Sequence, residues 1–183
     1  MPYLERIGRE TGETIILCGF RDNVGICLEK IEGHHTLRVA YALGDVYPLH
    51  ASATGKAIYA HLEPKERKHI IKSVGLEAFT PATITNEAAL EREVYKIRGA
   101  GFSESHGEAI EGTRGIAAPI FSFSGRIVAS IGASVPQHRA EGKDRELLIK
   151  ELTEAAKQIT RELTNQEVKS TETNPPYQRS HQA

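Results

Sequence analysis

Apolar residues fall along this chain in two rhythms, one of about three to four residues and one of two, and each change of rhythm marks an element. Leu4 and Ile7 among charged neighbours describe a short amphipathic helix over residues 2–12, closed by Gly12. Residues 14–20 are apolar and rich in strand formers, as are residues 24–31. Between them Arg21-Asp22-Asn23 reads as a turn, so the pair forms an antiparallel hairpin. Gly33, His34 and His35 then turn the chain into a third expected strand over residues 37–42, which ends near Gly44 and Asp45. The middle third is helical. A helix starts at Ser52 or Ala53 and runs to His61, and a second starts at Pro64 and is closed by Gly75. Residues 79–84 read as a loop. Over residues 86–99, Leu90, Val94 and Ile97 share one face while Glu91, Glu93, Lys96 and Arg98 turn outward. Residues 101–109 are polar and extended, and residues 115–123 and 126–135 are strands joined through Ser124 and Gly125. A last helix over residues 142–163 carries Leu148, Leu152, Ala155, Ile159 and Leu163 in one stripe.

Strands in runs, rather than in strict alternation with helices, predict an α+β domain: an antiparallel sheet flanked by helices. The 183 residues fit one domain, here residues 1–165. From 166 to 183 the composition shifts to Lys, Ser, Thr, Glu, Asn, Pro and Gln, too poor in apolar surface to fold, and a disordered tail is expected. Charge adds an exclusion. Lys+Arg 23 against Asp+Glu 24 nearly cancel, so the domain is not expected to hold nucleic acid unaided. No apolar run approaches the roughly 20 residues of a spanning helix, and the charged, polar N-terminus shows no signal peptide. Cys18 and Cys27 lie in apolar stretches without metal-ligand spacing, which fits buried free thiols in a reducing cytosol, although a disulfide between adjacent strands is also open.

Catalytic chemistry needs a nucleophile, a base or a metal cluster. The eight histidines are scattered, and no pair has the one-turn spacing that would chelate zinc. A His50–His106–Glu108 site is the one cluster that sequence leaves open, against the simpler reading of separate hydrogen-bonding histidines. No nucleophile elbow, phosphate loop or dinucleotide fingerprint is present. No cofactor and no metal are expected. Reactive thiols are exposed and of low pKa, whereas Cys18 and Cys27 sit among Ile, Leu and Val.

One segment stands out. Residues 48–58, PLHASATGKAI, combine a hydroxyl-rich helix start with Gly55 and Lys56. First-turn amides have no internal acceptor, so an acid group can be seated there, and Gly55 allows a ligand or a facing strand to come close. An ordinary Ser/Thr cap over a tightly packed helix explains the same residues equally well. Likewise Gly115 in residues 112–120, and Gly132 with Ser134 in residues 131–135, put small residues on one sheet face. They form either a pocket floor or a closely packed seam.

Taken together these segments resemble the effector-binding domain of IclR-type bacterial transcriptional regulators. PLHASATGKAIYA is similar to that family's PLHATALGKALLA. Phe79 to Ile84, Ile97 to Phe102, Glu108, Gly112, Ile116 to Ile120, Gly125, Val135, Pro136 and Arg139 follow its further motifs in order and spacing, as far as about Leu163. The resemblance implies a GAF-like fold: a curved antiparallel sheet with helices and a pocket on one face. It also implies homodimers or homotetramers, and no enzymatic activity. In full-length members a winged helix-turn-helix precedes this domain and binds DNA. Pro2 to Glu5 match the region after the family's linker, so that module is expected to be absent here and DNA to be reached only through it.

Carried over residue by residue, Ala53 and Thr54 match the helix start that meets the effector with its backbone, and the acid group is expected at the Ala53, Thr54 and Gly55 amides. Ser105 stands where members often have Asp, Gly115 where Cys is frequent, Gly132 where Ser is frequent, and Ser134 is retained. Loss of a carboxylate and two glycines imply a larger, less charged pocket. The expected partner is therefore a small organic acid bulkier than glyoxylate or pyruvate, an aromatic, sugar-derived or oxo acid, with Thr54, Ser105 and Ser134 supplying hydrogen bonds. An enzyme on a GAF-like fold and an effector-free oligomerisation module are the competing readings.

Overall fold

The computed structural model describes the backbone of residues 2–173 and the side chains of residues 2–166. Helix α1 (Pro2–Thr11) leads into the hairpin β1 (Ile15–Arg21) and β2 (Val24–Ile31). Its two-residue turn places Asp22 and Asn23 both at positive φ, 52° and 69°. That geometry matches the twist of antiparallel strands, and Asp and Asn are the side-chain-bearing residues that tolerate it best. After a long connection come β3 (Val46–Tyr47), α2 (Ala53–Tyr59), α3 (Pro64–Val74), α4 (Glu87–Ala100), β4 (Ser103–His106), β5 (Thr113–Phe121), β6 (Ile127–Pro136) and α5 (Gly142–Thr173). The described strands form one six-stranded sheet in the order β3-β2-β1-β6-β5-β4, antiparallel throughout. The α+β expectation holds.

Alternation along β5 and β6 sends two side-chain sets to opposite faces. Ile116, Ala118, Ile120, Ile131, Ala133 and Val135 meet Leu4 and Ile7 of α1 and Leu148, Leu152 and Ala155 of α5. The other face takes α2, behind which Ile58, Tyr59, Ile70, Leu90, Val94 and Ile97 join α2, α3 and α4 into a second core. Capping follows the sequence signals: Ser52 accepts from the Gly55 amide, Asn86 from the Ala89 amide, and Glu63 with Glu66 forms a capping box.

Two boundaries differ from expectation. Residues 37–42 are not a strand; Leu37 is 64% exposed, and the β2 edge is taken instead by Val46 and Tyr47 opposite Ile26 and Gly25. Strand propensity there has no packing surface to act on. The loop is held by polar ties: Arg139 Nη2 donates to the Leu37 carbonyl (2.8 Å) and Lys30 Nζ to the Tyr41 carbonyl (2.6 Å). Helix α5 runs to Thr173, so residues 166–173 of the expected tail are helical, and residues 174–183 lie outside the described residues. Gln166, Glu167 and Lys169 are good helix formers, and no proline interrupts before Pro175.

Candidate functional site

Helix α2 lies on the sheet more closely than side chains normally allow, and three hydroxyls fasten it there. Ser103 Oγ donates to the Ala53 carbonyl (2.6 Å), Ser105 Oγ to the Ala51 carbonyl (3.0 Å) and Ser130 Oγ to the Thr54 carbonyl (3.0 Å). The glycines make room for this approach. A Cβ at Gly115 would stand 2.9 Å from the Ala53 Cβ. A Cβ at Gly132 would stand 2.8 Å from Thr54 Cγ2, from Ala117 Cβ and from the Ile116 carbonyl. The volume freed by the glycines is thus taken up by α2 at Gly115 and by α2 and β5 at Gly132, and does not enlarge a pocket, contrary to the expectation above. Gly55 serves the same end on the other side of the helix, since a Cβ there would meet the Pro48 carbonyl at 2.5 Å.

Beside the α2 start a cavity of about 60 Å³ opens between helix, sheet and two connecting segments. Ala53, Thr54, Ser105, Gly115 and Ser134 line it, so five of the expected site residues converge. Gly55 and Gly132 do not line it. The Gly55 amide is capped by Ser52 Oγ (3.0 Å), and Gly132 is buried under Thr54. Lys56 N donates to the Ser52 carbonyl as the first intrahelical bond, which leaves the Ala53 and Thr54 amides as first-turn donors without an intrahelical acceptor. Ser105 spends its proton on Ala51 and can only accept from a ligand.

Sequence reasoning named five of the thirteen lining residues and missed eight, among them four from the connecting segments. Tyr41 and Tyr47 come from the segment between β2 and β3, and Ala109 and Ile110 from the β4–β5 connection. The two tyrosine rings meet edge-on at 5.5 Å and 65°. Burial pushes the Tyr41 phenol up to about 12, although a hydrogen bond with Ser134 pulls the other way, and burial raises Tyr47 further. Both remain neutral hydroxyls near neutral pH. Among the described residues no charged side chain lines the cavity.

The candidate catalytic groups do not converge. His50 Nε2 pairs with the Glu77 carbonyl (2.9 Å), and His106 Nδ1 accepts from Arg114 Nε (3.2 Å). Glu108 accepts from the buried Lys56, whose Nζ lies 2.8 Å from Glu108 Oε1 and 3.1 Å from Glu93 Oε1. Lys56 therefore points away from the pocket and ties α2 to α4 and the β4–β5 connection. Burial raises the Glu108 carboxyl in spite of Lys56. No group of three or more His, Cys, Asp or Glu that could hold a metal occurs among the described residues. Cys18 and Cys27 are free and buried, and burial pushes the Cys18 thiol up to about 11, the opposite of an activated nucleophile. Among the described residues no helix is long and apolar enough to cross a membrane.

Comparison with known proteins gives this geometry its context. The family described as "Bacterial transcriptional regulator IclR C-terminal" matches residues 1–161. The chain belongs to the IclR family. It is 35% identical over 159 residues to the HTH-type transcriptional regulator BhcR of Paracoccus denitrificans, covering 87% of this chain and 57% of the relative. The crystal structure of the Thermotoga maritima IclR superposes with a TM-score of 0.85 at 33% identity, over 89% of this chain and 66% of that one. A double mutant of the PobR inducer-binding domain from Acinetobacter, solved with 3-hydroxybenzoic acid, shares the fold at 21% identity and a TM-score of 0.78, over 87% and 94% of the two chains. The IclR-family chain described here spans little more than half the length of the curated relatives it matches. Those relatives are named transcriptional regulators and repressors, not enzymes.

Proposed function

We propose that this IclR-family domain senses a small monocarboxylic acid in the cavity beside α2 and passes its occupancy to a DNA-binding domain elsewhere in the full regulator. The observation that carries this reading is a cavity rich in hydroxyls and bare of charged side chains. A single carboxylate finds the Ala53 and Thr54 amides and the Thr54 hydroxyl as donors. A second carboxylate, a phosphate or an ammonium would be desolvated with no counter-charge, which is costly. At roughly 10–15 Å³ per water by this measure, about 60 Å³ is room for about four to six water molecules. An acid of a few heavy atoms therefore suits the closed cavity, and an aromatic or sugar-derived acid requires the Tyr41 or Ile110 segment to move outward. No cofactor enters this reading. Its setting is the cytoplasm, and its assembly, carried over from the family resemblance, is a homodimer or homotetramer.

A thermal-shift titration against short oxo, hydroxy and alkyl acids, with dicarboxylates and sugar acids alongside, tests it. Ligand at about 100 times Kd stabilises the folded state by about 2.7 kcal/mol, a rise of roughly 5–10 °C for a domain of this size. The expected result is a saturable rise with monocarboxylates that is lost in Thr54→Val. Preference for dicarboxylates overturns the charge argument. Silence across the panel favours the effector-free oligomerisation module, which light scattering would then show as a stable dimer or tetramer.

A further inference from the structure

We infer that the groove between α5 and the open end of β5 is a second ligand site, taking an amphipathic anion with an extended alkyl body, a medium-chain fatty acid. It lies apart from the cavity beside α2 and does not depend on it. The groove has a volume of about 530 Å³, within the roughly 300–1,000 Å³ usual for small-molecule sites. Its origin is in the sheet. Strand β4 pairs with β5 only from His106 opposite Arg114 to Ser103 opposite Ala117, so β5 residues 118–121 run on without a neighbour on that side. Helix α5 borders the gap, where Thr160 Oγ1 accepts from the Phe121 amide (3.1 Å). Pro119 has no N–H to offer, so this edge is poorly equipped to pair with a peptide strand.

Polarity runs along the groove. Phe102, Ala118, Phe121, Ile149 and Ala156 give it an apolar lining. His61 adds a wall: its Nδ1 donates to the Ala57 carbonyl (2.9 Å), and its ring meets Phe121 edge-on at 5.1 Å. From Ile149 to Arg161 helix α5 advances roughly 18 Å, at about 1.5 Å per residue, which is longer than a compact acid requires. The two cations of the lining, Lys157 and Arg161, stand at one end of that length and are exposed. Other charges of α5 are engaged: Arg145 holds Glu104, Glu151 accepts from Arg6, and Glu162 accepts from the Tyr3 hydroxyl. Lys157 and Arg161 have no carboxylate partner among the described residues. A carboxylate between them gains charge-assisted hydrogen bonds while its chain covers the apolar lining. A neutral or cationic head gains none.

Calorimetric titration of the 183-residue chain tests this, with octanoate and decanoate below their micellar thresholds and with decanol and decyltrimethylammonium as head-group controls. Each methylene taken from water tightens binding roughly fourfold, so decanoate is expected to bind roughly tenfold tighter than octanoate. Decanoate should exceed both controls by at least about tenfold, and Lys157→Gln with Arg161→Gln should remove that margin while leaving decanol unchanged. Ala100→Trp, which sets an indole at the exposed margin of the groove, should weaken every alkyl ligand, and Thr54→Val should weaken none. Absence of saturable binding, equal affinity for the three heads, or no gain from octanoate to decanoate overturns the inference. Loss of binding in Thr54→Val instead of in the Lys157 and Arg161 variant moves the ligand to the cavity beside α2 and overturns it too. So does sedimentation in which Ala100→Trp dissociates an oligomer, because a second copy of the chain then covers the groove.

Discussion

Gly132→Ala adds one methyl group where the seam between α2 and the sheet is tightest. The new Cβ would lie 2.8 Å from Ala117 Cβ, from the Ile116 carbonyl oxygen and from Thr54 Cγ2, against an optimal separation of about 3.5–4.0 Å. Two of these atoms belong to β5, directly hydrogen-bonded to β6, and cannot retreat without breaking the ladder. The third rides on α2, whose start is fastened by Ser103, Ser105 and Ser130. Overpacking of this kind costs about 1–3 kcal/mol. For a domain of this size that is a fall in melting temperature of roughly 2–12 °C, read by calorimetry or circular dichroism. Thr54→Ser removes Cγ2, so the cost of Gly132→Ala should be smaller in that background, but not abolished, because the two β5 contacts remain; a double-mutant cycle isolates the difference. Gly115→Ala should be milder, since it meets one methyl at 2.9 Å and then nothing nearer than 3.5 Å. If Gly132→Ala proves neutral within about 0.5 kcal/mol while short acids bind more weakly and larger acids more tightly, the glycine is there for pocket volume and the close-packing account fails.

Lys56→Met leaves the buried Glu108 carboxylate without its cation, while the half-buried Glu93 keeps Lys96, and should cost about 3–5 kcal/mol in denaturant unfolding, with recovery when Glu108→Gln is added; an unchanged midpoint in the single variant counts against the network. Glu151 is held below its ordinary 4.5, first by the hydrogen bond from Arg6, so its contribution is complete above the unfolded value and lost as pH falls through the folded one. The melting-temperature gap between wild type and Glu151→Gln should therefore be fully open at pH 7 and narrow as pH falls below 4.5; a gap that does not narrow in acid refutes the charge assignment. Arg139→Lys loses the two-pronged grip on Glu13 and the tie to the Leu37 carbonyl, and trypsin should then cut after the exposed Arg38 several-fold faster than in wild type, whereas an unchanged rate would mean the loop is held elsewhere.

Much of this architecture was legible because local chemistry and tertiary need agree. Asp22 and Asn23 suit the turn they occupy, Ser52 and Asn86 cap the helices they precede, and the stripes on α4 and α5 face the cores they build. The order of motifs from Pro48 to Arg139 carried the family. The site was legible as a neighbourhood. Ala53, Thr54, Ser105, Gly115 and Ser134 do meet around one cavity, but small residues announce only that two surfaces come close, and say nothing of which surface fills the space. Here protein fills it, α2 and β5 at Gly132 and the Pro48–Leu49 backbone at Gly55, which is why these two became packing positions and why the inference from glycine to a bulkier effector did not follow.

What stayed hidden shares one physical cause: it depends on side chains brought together across long stretches of sequence. Ser103 and Ser130 look like ordinary strand serines until α2 arrives with the carbonyls of Ala53 and Thr54. Lys56 looks like a surface cation one turn into a helix, yet its charge is met only by Glu93 and Glu108, 37 and 52 residues further on. Tyr41 was concealed more deeply, because residues 37–42 imitate a strand and a strand assignment sends alternate side chains to solvent, and Tyr47 because the two-residue β3 is too short for a period to show. The β2 edge accepts only Val46 and Tyr47, so the preceding segment is free to fold its tyrosine over the pocket instead of extending the sheet. A loop anchored by Arg139 and Lys30 rather than by a ladder is also the element whose position a ligand shifts at least cost. The cavity-lining Tyr41 thus lies where sequence periodicity is least informative, and where the sheet has stopped dictating the backbone.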